Sequence, residues 1–262
     1  MYNAGVKANL LEGKTALILG IANKWSLAYA IAQAFWREGA TLALTYLGDR
    51  QKLAIEELSQ GQALAGLWPC DVTKEEDLRS LSESLQGLGR PLDAVVHSLA
   101  FANRDDLSRP FVETGRDGFL LAQEVSSYSL VAVARATAPC MTSGGALMTL
   151  TYLGSTRVVP NYNVMGVAKA SLEASVRYLA SDLGPQRIRV NAISAGPVKT
   201  ASARAIKDFT SILDYVASRA PLRRNTDPNE VADTAVFLAS DLGRGVTGNV
   251  LFVDAGIQIM GL

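Results

Sequence analysis

Thr15-Ala-Leu-Ile-Leu-Gly20-Ile-Ala-Asn-Lys-Trp-Ser26-Leu-Ala28 runs from a short apolar stretch through a glycine turn into the start of a helical pattern. A continuous apolar run of this length suits a strand covered on both faces, as in a parallel sheet. The pattern recurs. Thr41 to Tyr46, Leu64 to Pro69, Ala94 to Ser98, Ala146 to Thr151, Arg189 to Ala195 and Val250 to Val253 read as further strands. Between them Leu27 to Glu38, Gln51 to Gln60, Glu75 to Leu85, Gly118 to Pro139, Asn163 to Leu183 and Asn229 to Ser240 place apolar residues at helical spacing. Strand and helix in alternation, joined by right-handed crossovers, predict an α/β fold: a doubly wound, Rossmann-type parallel sheet of about seven strands. No Pro/Ser/Gly-rich linker, internal repeat or low-complexity segment divides the chain, so residues 1–262 are expected to form a single domain. The one break in the alternation is Val198 to Arg224, longer than an ordinary connection and of the kind that often forms a substrate lid.

Composition removes several classes of function. A chain of 262 residues, 48% hydrophobic, can bury a sizeable core, and disorder is not expected. Its 25 basic and 25 acidic side chains balance, and no basic helix or charge block stands out, which disfavours nucleic acid as a partner. Cys70 and Cys140 lie far apart and form no C-x-x-C pair, so neither a disulfide framework nor a zinc site is expected, and a reducing, cytoplasmic setting fits. His97 is the single histidine. No histidine cluster exists to build a catalytic metal centre, and any histidine triad would have to use that residue. Met1 to Gly13 carries no apolar core of signal-peptide length, and no run of about 18 uncharged apolar residues occurs, so neither export nor a membrane span is expected.

Two segments could carry chemistry. Gly20, Ser26 and Ala28 supply the small residues that a dinucleotide-binding turn needs for backbone amides and a helix N-terminus to approach a pyrophosphate. The G-x-G-x-x-G fingerprint itself is absent, and an ordinary βα turn with Ser26 as helix cap explains the segment equally well. The second segment is Tyr152-Leu-Gly-Ser-Thr-Arg-Val-Val-Pro-Asn-Tyr162-Asn-Val-Met-Gly-Val-Ala-Lys169. Residues seven apart on a helix are turned through about 700°, so Tyr162 and Lys169 share a face if the helix begins near Tyr162. A phenol can stabilise an enolate or donate a proton, and a neighbouring ammonium lowers the phenol's pKa and can grip ribose hydroxyls. The bland alternative is a packing tyrosine and a solvated surface lysine.

Context favours the chemical reading. Short-chain dehydrogenase/reductases carry Tyr-x-x-x-Lys at this point of the same fold, whereas here the spacing is Tyr-x6-Lys with a second tyrosine ten residues upstream. That arrangement resembles the divergent enoyl-acyl-carrier-protein reductases (FabI type) of bacterial and plastid fatty-acid synthesis. The resemblance covers essentially the whole chain. It is carried by Gly20-x5-Ser26-x-Ala28, Cys70-Asp71-Val72, His97-Ser98-Leu99-Ala100-Phe101-Ala102, Leu150-Thr-Tyr-Leu-Gly154, Pro160-Asn-Tyr-Asn-Val-Met165 and Arg189-Val-Asn-Ala-Ile-Ser-Ala-Gly-Pro197, in the family's order.

The resemblance implies hydride delivery from NADH to the β-carbon of a trans-2-enoyl thioester. Tyr162 would hydrogen-bond the thioester oxygen of the resulting enolate, Lys169 would hold the nicotinamide ribose, and Tyr152 would serve the acyl pocket or proton delivery. It further implies cofactor contacts from Gly20, Ser26 and Leu27 at the pyrophosphate, Asp71 and Val72 at the adenine, Leu99 on the adenosine side, and Val198, Thr200 and Ser202 at the nicotinamide end. Ala102, Ala203 and Ile206 join the two tyrosines as substrate contacts. One position departs from the pattern: Leu47 stands where many NADH-using members have glutamine. The neighbouring Asp49 and Arg50 argue in opposite directions on a ribose 2′-phosphate, so NADH is expected with NADPH left open.

The segment from Val198 to Arg224 resembles the family's mobile substrate loop, with Ala201, Ala203, Ala205 and Ile206 able to close over an acyl chain. Arg204 and Lys207 could steer an acidic acyl carrier protein. The helix from Asn163 to Leu183 is apolar beyond one stripe and, with the apolar end Ile257-Gln-Ile-Met260, fits the family's homotetramer. Ser194 in Ala192-Ile-Ser194-Ala-Gly196 imitates a nucleophile elbow but lacks its first glycine and a later histidine, and reads as a loop residue beside nicotinamide. Cys70 and Cys140 read as core fillers.

Overall fold

The first strand, β1 (Thr15–Leu19), is buried along its whole length, as its composition requires. The computed structural model describes residues 9–200 and 209–261. From β1 the chain continues through α1 (Leu27–Arg37), β2 (Thr41–Tyr46), α2 (Asp49–Leu58), β3 (Leu64–Pro69), α3 (Glu75–Gln86) and β4 (Ala94–His97). After a short helix α4 (Arg104–Ser108) come α5 (Arg116–Gln123), α6 (Ser129–Thr137), β5 (Gly145–Thr151), α7 (Asn163–Leu183) and β6 (Ile188–Ala195). The chain closes with α8 (Phe209–Arg219), α9 (Pro228–Ala239) and β7 (Val250–Val253). The seven strands form one sheet in the order β3-β2-β1-β4-β5-β6-β7, every pair parallel. The sequence order reverses between β1 and β4. In such sheets a crevice opens at that point beyond the carboxyl ends of the strands.

The alternation of β1 divides the core in two. Ala16 and Ile18 face α1 and α9, packing with Ile31, Phe35, Val231 and Leu238. Leu17 and Leu19 face the opposite layer, with Leu81 and Leu85 of α3, Val133 of α6 and Leu172 and Val176 of α7. Successive residues of a strand point to opposite faces, which is why an unbroken apolar run is needed here. Each fully buried leucine or isoleucine contributes about 1.5–3 kcal/mol. Phe35, wholly buried, is a position where truncation to alanine should cost about 3–5 kcal/mol.

The expected helix from Gly118 to Pro139 is instead two helices, α5 and α6, joined by a wide π-type turn at Glu124–Tyr128. Serine side chains occupy that turn. The Ser126 hydroxyl accepts from the Phe101 amide at 2.9 Å, and the Ser129 hydroxyl donates to the Val125 carbonyl at 2.7 Å. The widening thereby ties the segment after β4 to the helix layer. Helices α4 and α8 were not foreseen. Helix α8 lies within the excursion after Pro197, burying Leu213 and Val216, so at least 209–219 of that excursion is regular helix. Residues 201–208 lie outside the described residues.

Candidate active site

The turn after β1 is shaped for close approach. Gly20 has φ +100°, and a methyl group there would collide with the Ser98 carbonyl oxygen, so only glycine fits against the exit of β4. Ser26 caps α1 as the sequence suggests: its hydroxyl donates to the Asn23 carbonyl at 2.7 Å and accepts from the Tyr29 amide at 3.3 Å. Beyond this turn lies a cleft of about 610 Å³ lined by Gly20, Ser26, Leu27, Leu47, Asp71, Val72, Leu99, Lys169 and Thr200. Nine of the predicted cofactor residues thus meet in one crevice at the switch point, while Val198 lines the adjoining cavity and Ser202 lies outside the described residues. A helix N-terminus and unencumbered backbone beside a cleft of this size suit a dinucleotide.

At the far end, partial burial works against ionisation of Asp71. Hydrogen bonds from the Thr73 hydroxyl at 2.7 Å and amide at 3.1 Å, with Lys74 nearby, outweigh it and hold the carboxyl below its usual range. Leu47 is 67% exposed, and its amide donates to the Gln51 side-chain oxygen at 2.8 Å. Gln51 also lines the cleft. The sequence reading missed it; the available signal was a glutamine on the first turn of α2, folding back onto the end of β2.

A second cavity, about 560 Å³, adjoins the first, with Leu27, Ala100, Phe101 and Thr200 lining both. Its wall includes Ala102, Tyr152, Tyr162, Val198 and Phe209 and is mostly apolar. Ser202, Ala203 and Ile206, with Arg204 and Lys207, lie outside the described residues.

Tyr162 is the N-cap of α7, placed by a strained approach: Asn161 and Asn163 on either side have φ +61° and +39°. Asparagine tolerates that region better than most residues, which explains the Asn-Tyr-Asn sequence. The Asn163 amide also donates to the carbonyls of Leu107, at 3.2 Å, and Arg109, at 2.7 Å, fastening the tyrosine's neighbour to the end of α4. Two glycines let the ring in. A methyl on Gly154 would strike the Tyr162 ring, and one on Gly166 would lie 2.7 Å from the Gly154 carbonyl oxygen. The rings of Tyr152 and Tyr162 pack edge to face, centroids 5.0 Å apart at 72°.

Burial dominates the electrostatics. It pushes Tyr162 well above the ordinary phenol range, with Tyr152 and Glu173 adding to the effect. Burial and then Asp254 push Tyr152 up to about 12. Both are therefore neutral hydrogen-bond donors. The expectation that the Lys169 ammonium lowers the phenol's pKa is corrected: desolvation wins. Lys169 is no solvated surface residue either. It is 5% exposed, its ammonium donates to the Leu150 carbonyl at 2.8 Å, and burial, partly offset by Glu173, pulls it down to about 8.

Four other residues resolve without chemistry. His97 lies wholly buried, with Nδ1 2.9 Å from the Thr149 hydroxyl and Nε2 2.8 Å from the Ser129 hydroxyl. Burial, with the Lys169 charge adding, pushes it down to about 3, so it is a neutral core residue. Ser194 is in β6 and 1% exposed rather than in a loop, because β6 extends to Ala195. Cys70 and Cys140 are buried, and burial raises both thiols, Cys70 to about 12, which suppresses the reactive thiolate.

Residues 20–258 match the family described as enoyl-(acyl carrier protein) reductase. The chain is 55% identical over 255 residues to the enoyl-[acyl-carrier-protein] reductase [NADH] FabI of Bacillus cereus, covering 96% of this chain and 99% of that protein. It is 50% identical over 250 residues to the enoyl-[acyl-carrier-protein] reductase [NADPH] FabI of Staphylococcus aureus, covering 95% and 98%. The crystal structure of the Bacillus cereus reductase with NADP+ and indole naphthyridinone superposes with a TM-score of 0.94 at 55% identity, covering 97% of this chain and 99% of that one.

Proposed function

From the premise that the chain belongs to the enoyl-(acyl carrier protein) reductase family, we propose that it reduces the trans-2 double bond of enoyl-acyl carrier protein with NADH. The observation that carries this reading is a neutral, buried Tyr162 in a mostly apolar cavity that shares its wall with the cleft holding Lys169.

The bound cofactor would supply a hydride to the β-carbon of the thioester; the remaining work falls to the chain. Gly20, Ser26 and Leu27 would take the pyrophosphate against the start of α1, and Asp71, Val72 and Leu99 the adenosine. Lys169, fixed by the Leu150 carbonyl, would offer its other protons to the nicotinamide ribose, and Val198 and Thr200 would border the ring. Tyr162 donates its hydroxyl proton in a hydrogen bond to the thioester oxygen. As negative charge develops there, that bond strengthens, and a donor in a water-poor site is worth far more than one in bulk solvent. A phenol held neutral is suited to this task, since a phenolate would repel the enolate. Tyr152, edge-on to Tyr162, borders the acyl group and stands where it can assist protonation.

Ser202, Ala203 and Ile206 would complete the nicotinamide and acyl contacts in the excursion at about 198–224, and Arg204 and Lys207 would serve the docking of acyl carrier protein; these five lie outside the described residues. We assign the protein to the cytoplasm as a homotetramer. Tyr178 of α7, 75% exposed, and Tyr128, 47% exposed, support assembly through that helix layer, and light scattering would measure it. Among the described residues no helix is long and apolar enough to cross a membrane, and no cluster of three or more metal-ligating side chains occurs.

The test is NADH oxidation with a crotonyl thioester beside an acetoacetyl thioester. Turnover of the enoyl substrate is expected; oxidation with the keto substrate alone would overturn the assignment. Running NADPH in parallel decides the preference at Leu47 and Gln51.

A further inference from the structure

Lys169 and Glu173 stand one helical turn apart on α7, so both project from the same face, and both are buried, at 5% and 7% exposure. A buried carboxylate is costly unless it is hydrogen-bonded. Glu173 accepts from the Thr151 hydroxyl at 2.6 Å. The adjacent residue of β5, Leu150, gives its carbonyl to the Lys169 ammonium at 2.8 Å. Two consecutive strand residues therefore anchor two opposite charges, each tied to β5.

None of the other groups nearby acts on Lys169 as a negative charge. From β4 comes His97, neutral between Thr149 and Ser129. The segment between β5 and α7 brings Tyr152 and Tyr162, both neutral phenols. In β6 the residue paired with Thr151 is Ser194. After β7, Asp254 acts on Tyr152. On the π-type turn packed against α7, Glu124 is exposed, as is Arg177 on the next turn of α7 itself. Among the described residues, Glu173 is the counter-charge that acts on Lys169.

We propose that Glu173 is a positioning residue: its buried carboxylate, anchored by Thr151, keeps Lys169 in the ammonium form and so sets the upper pH limit of cofactor binding. The inference rests on Lys169 being the cofactor contact. Without the carboxylate, a buried ammonium loses its compensation and gives up its proton at lower pH.

NADH affinity measured by fluorescence from about pH 6 to about pH 9.5 tests this, because one unit of pKa change is a tenfold change in the protonation equilibrium. Wild-type affinity should fall as pH rises through about 8. Glu173→Gln should show the same fall about one pH unit lower, binding roughly five- to tenfold more weakly at pH 8 yet within about twofold of wild type at pH 6. Glu173→Asp should move the profile part of the way back. Thr151→Val should shift it in the same direction by less, and reads the same effect if Glu173→Gln does not fold. A Glu173→Gln profile that superposes on wild type, or one weakened equally at every pH, overturns the proposal. Lys169→Met separates the two levels: wild-type affinity in that variant would remove the reading of Lys169, whereas weakened binding there with an unshifted Glu173→Gln profile would remove only the role of Glu173.

Discussion

On the β1 and β2 side of the switch point the cleft is bounded by Gly20, Ser26 and Leu47, which contribute backbone shape, amides and a helix cap. On the β5 and α7 side Lys169 lines the cleft, Tyr162 lines the adjoining cavity, and Glu173 stands one turn beyond Lys169 on α7, three polar side chains taken almost entirely out of water. The first region can hold a ligand without moving any group away from its ordinary chemistry. In the second, desolvation displaces the tyrosines upward and the lysine downward. The contrast says where binding is made and where reactivity is made. Backbone shape is indifferent to pH, while buried ionisable groups are held in chosen protonation states by their surroundings.

The sharpest way to break the comparison is Tyr162→Phe. Removing one preorganised donor should lower kcat by roughly 10²–10³-fold while leaving NADH affinity nearly unchanged, because the ring still packs on Tyr152. Steady-state kinetics beside equilibrium NADH binding reads both quantities, and full activity would remove the proposed role. Gly154→Ala comes next. The added methyl displaces the Tyr162 ring, and a misplacement of about 1 Å can cost on the order of 10²-fold in turnover. Unchanged kcat there would mean the ring's position matters less than its chemistry.

Protonation gives a third test. A lysine whose pKa falls from 10.5 unfolded to about 8 folded costs stability while it is protonated in both states. Between those values the unfolded chain binds more protons at this lysine, which by itself makes stability of the cofactor-free protein rise with pH, by roughly 3 kcal/mol in all; above about pH 9 the Cys70 thiol, pushed up to about 12, acts in the opposite sense, so the rise is read between about pH 8 and 9. Denaturant unfolding should show that rise in wild type and its absence in Lys169→Met. The smallest effect belongs to the shape-built region. Ser26→Ala removes a helix cap, and should cost about 1 kcal/mol of stability with a modest loss of NADH affinity and little change in kcat. A large loss of kcat in Ser26→Ala would erase the distinction between the two regions.

β1 and β2 were legible because burial on both faces demands apolar runs, and the only partly buried edge strands β3 and β7 also begin and end where the pattern places them. The helix expected over Gly118 to Pro139 was not, because the π-type turn depends on Phe101, a partner distant in sequence, reaching Ser126. Ser194 belongs to the strand that the apolar pattern already places over Arg189 to Ala195; its likeness to a nucleophile elbow is what suggested a loop. Gln51 and Glu173 went unread since each earns its place through a contact four residues or more away, with nothing in its own type to mark it.

From sequence alone came the alternating parallel sheet, the glycine turn after β1, and the unusual tyrosine-lysine spacing with its family resemblance. These follow from local rules of period, conformational freedom and side-chain type. Only the tertiary structure decided that Tyr162 is a neutral donor, that Lys169 is buried and eased toward neutrality, and that Glu173 stands behind it. Protonation depends on how much water the fold removes from each group and which charges it brings near, and neither is written in the spacing of residues along the chain.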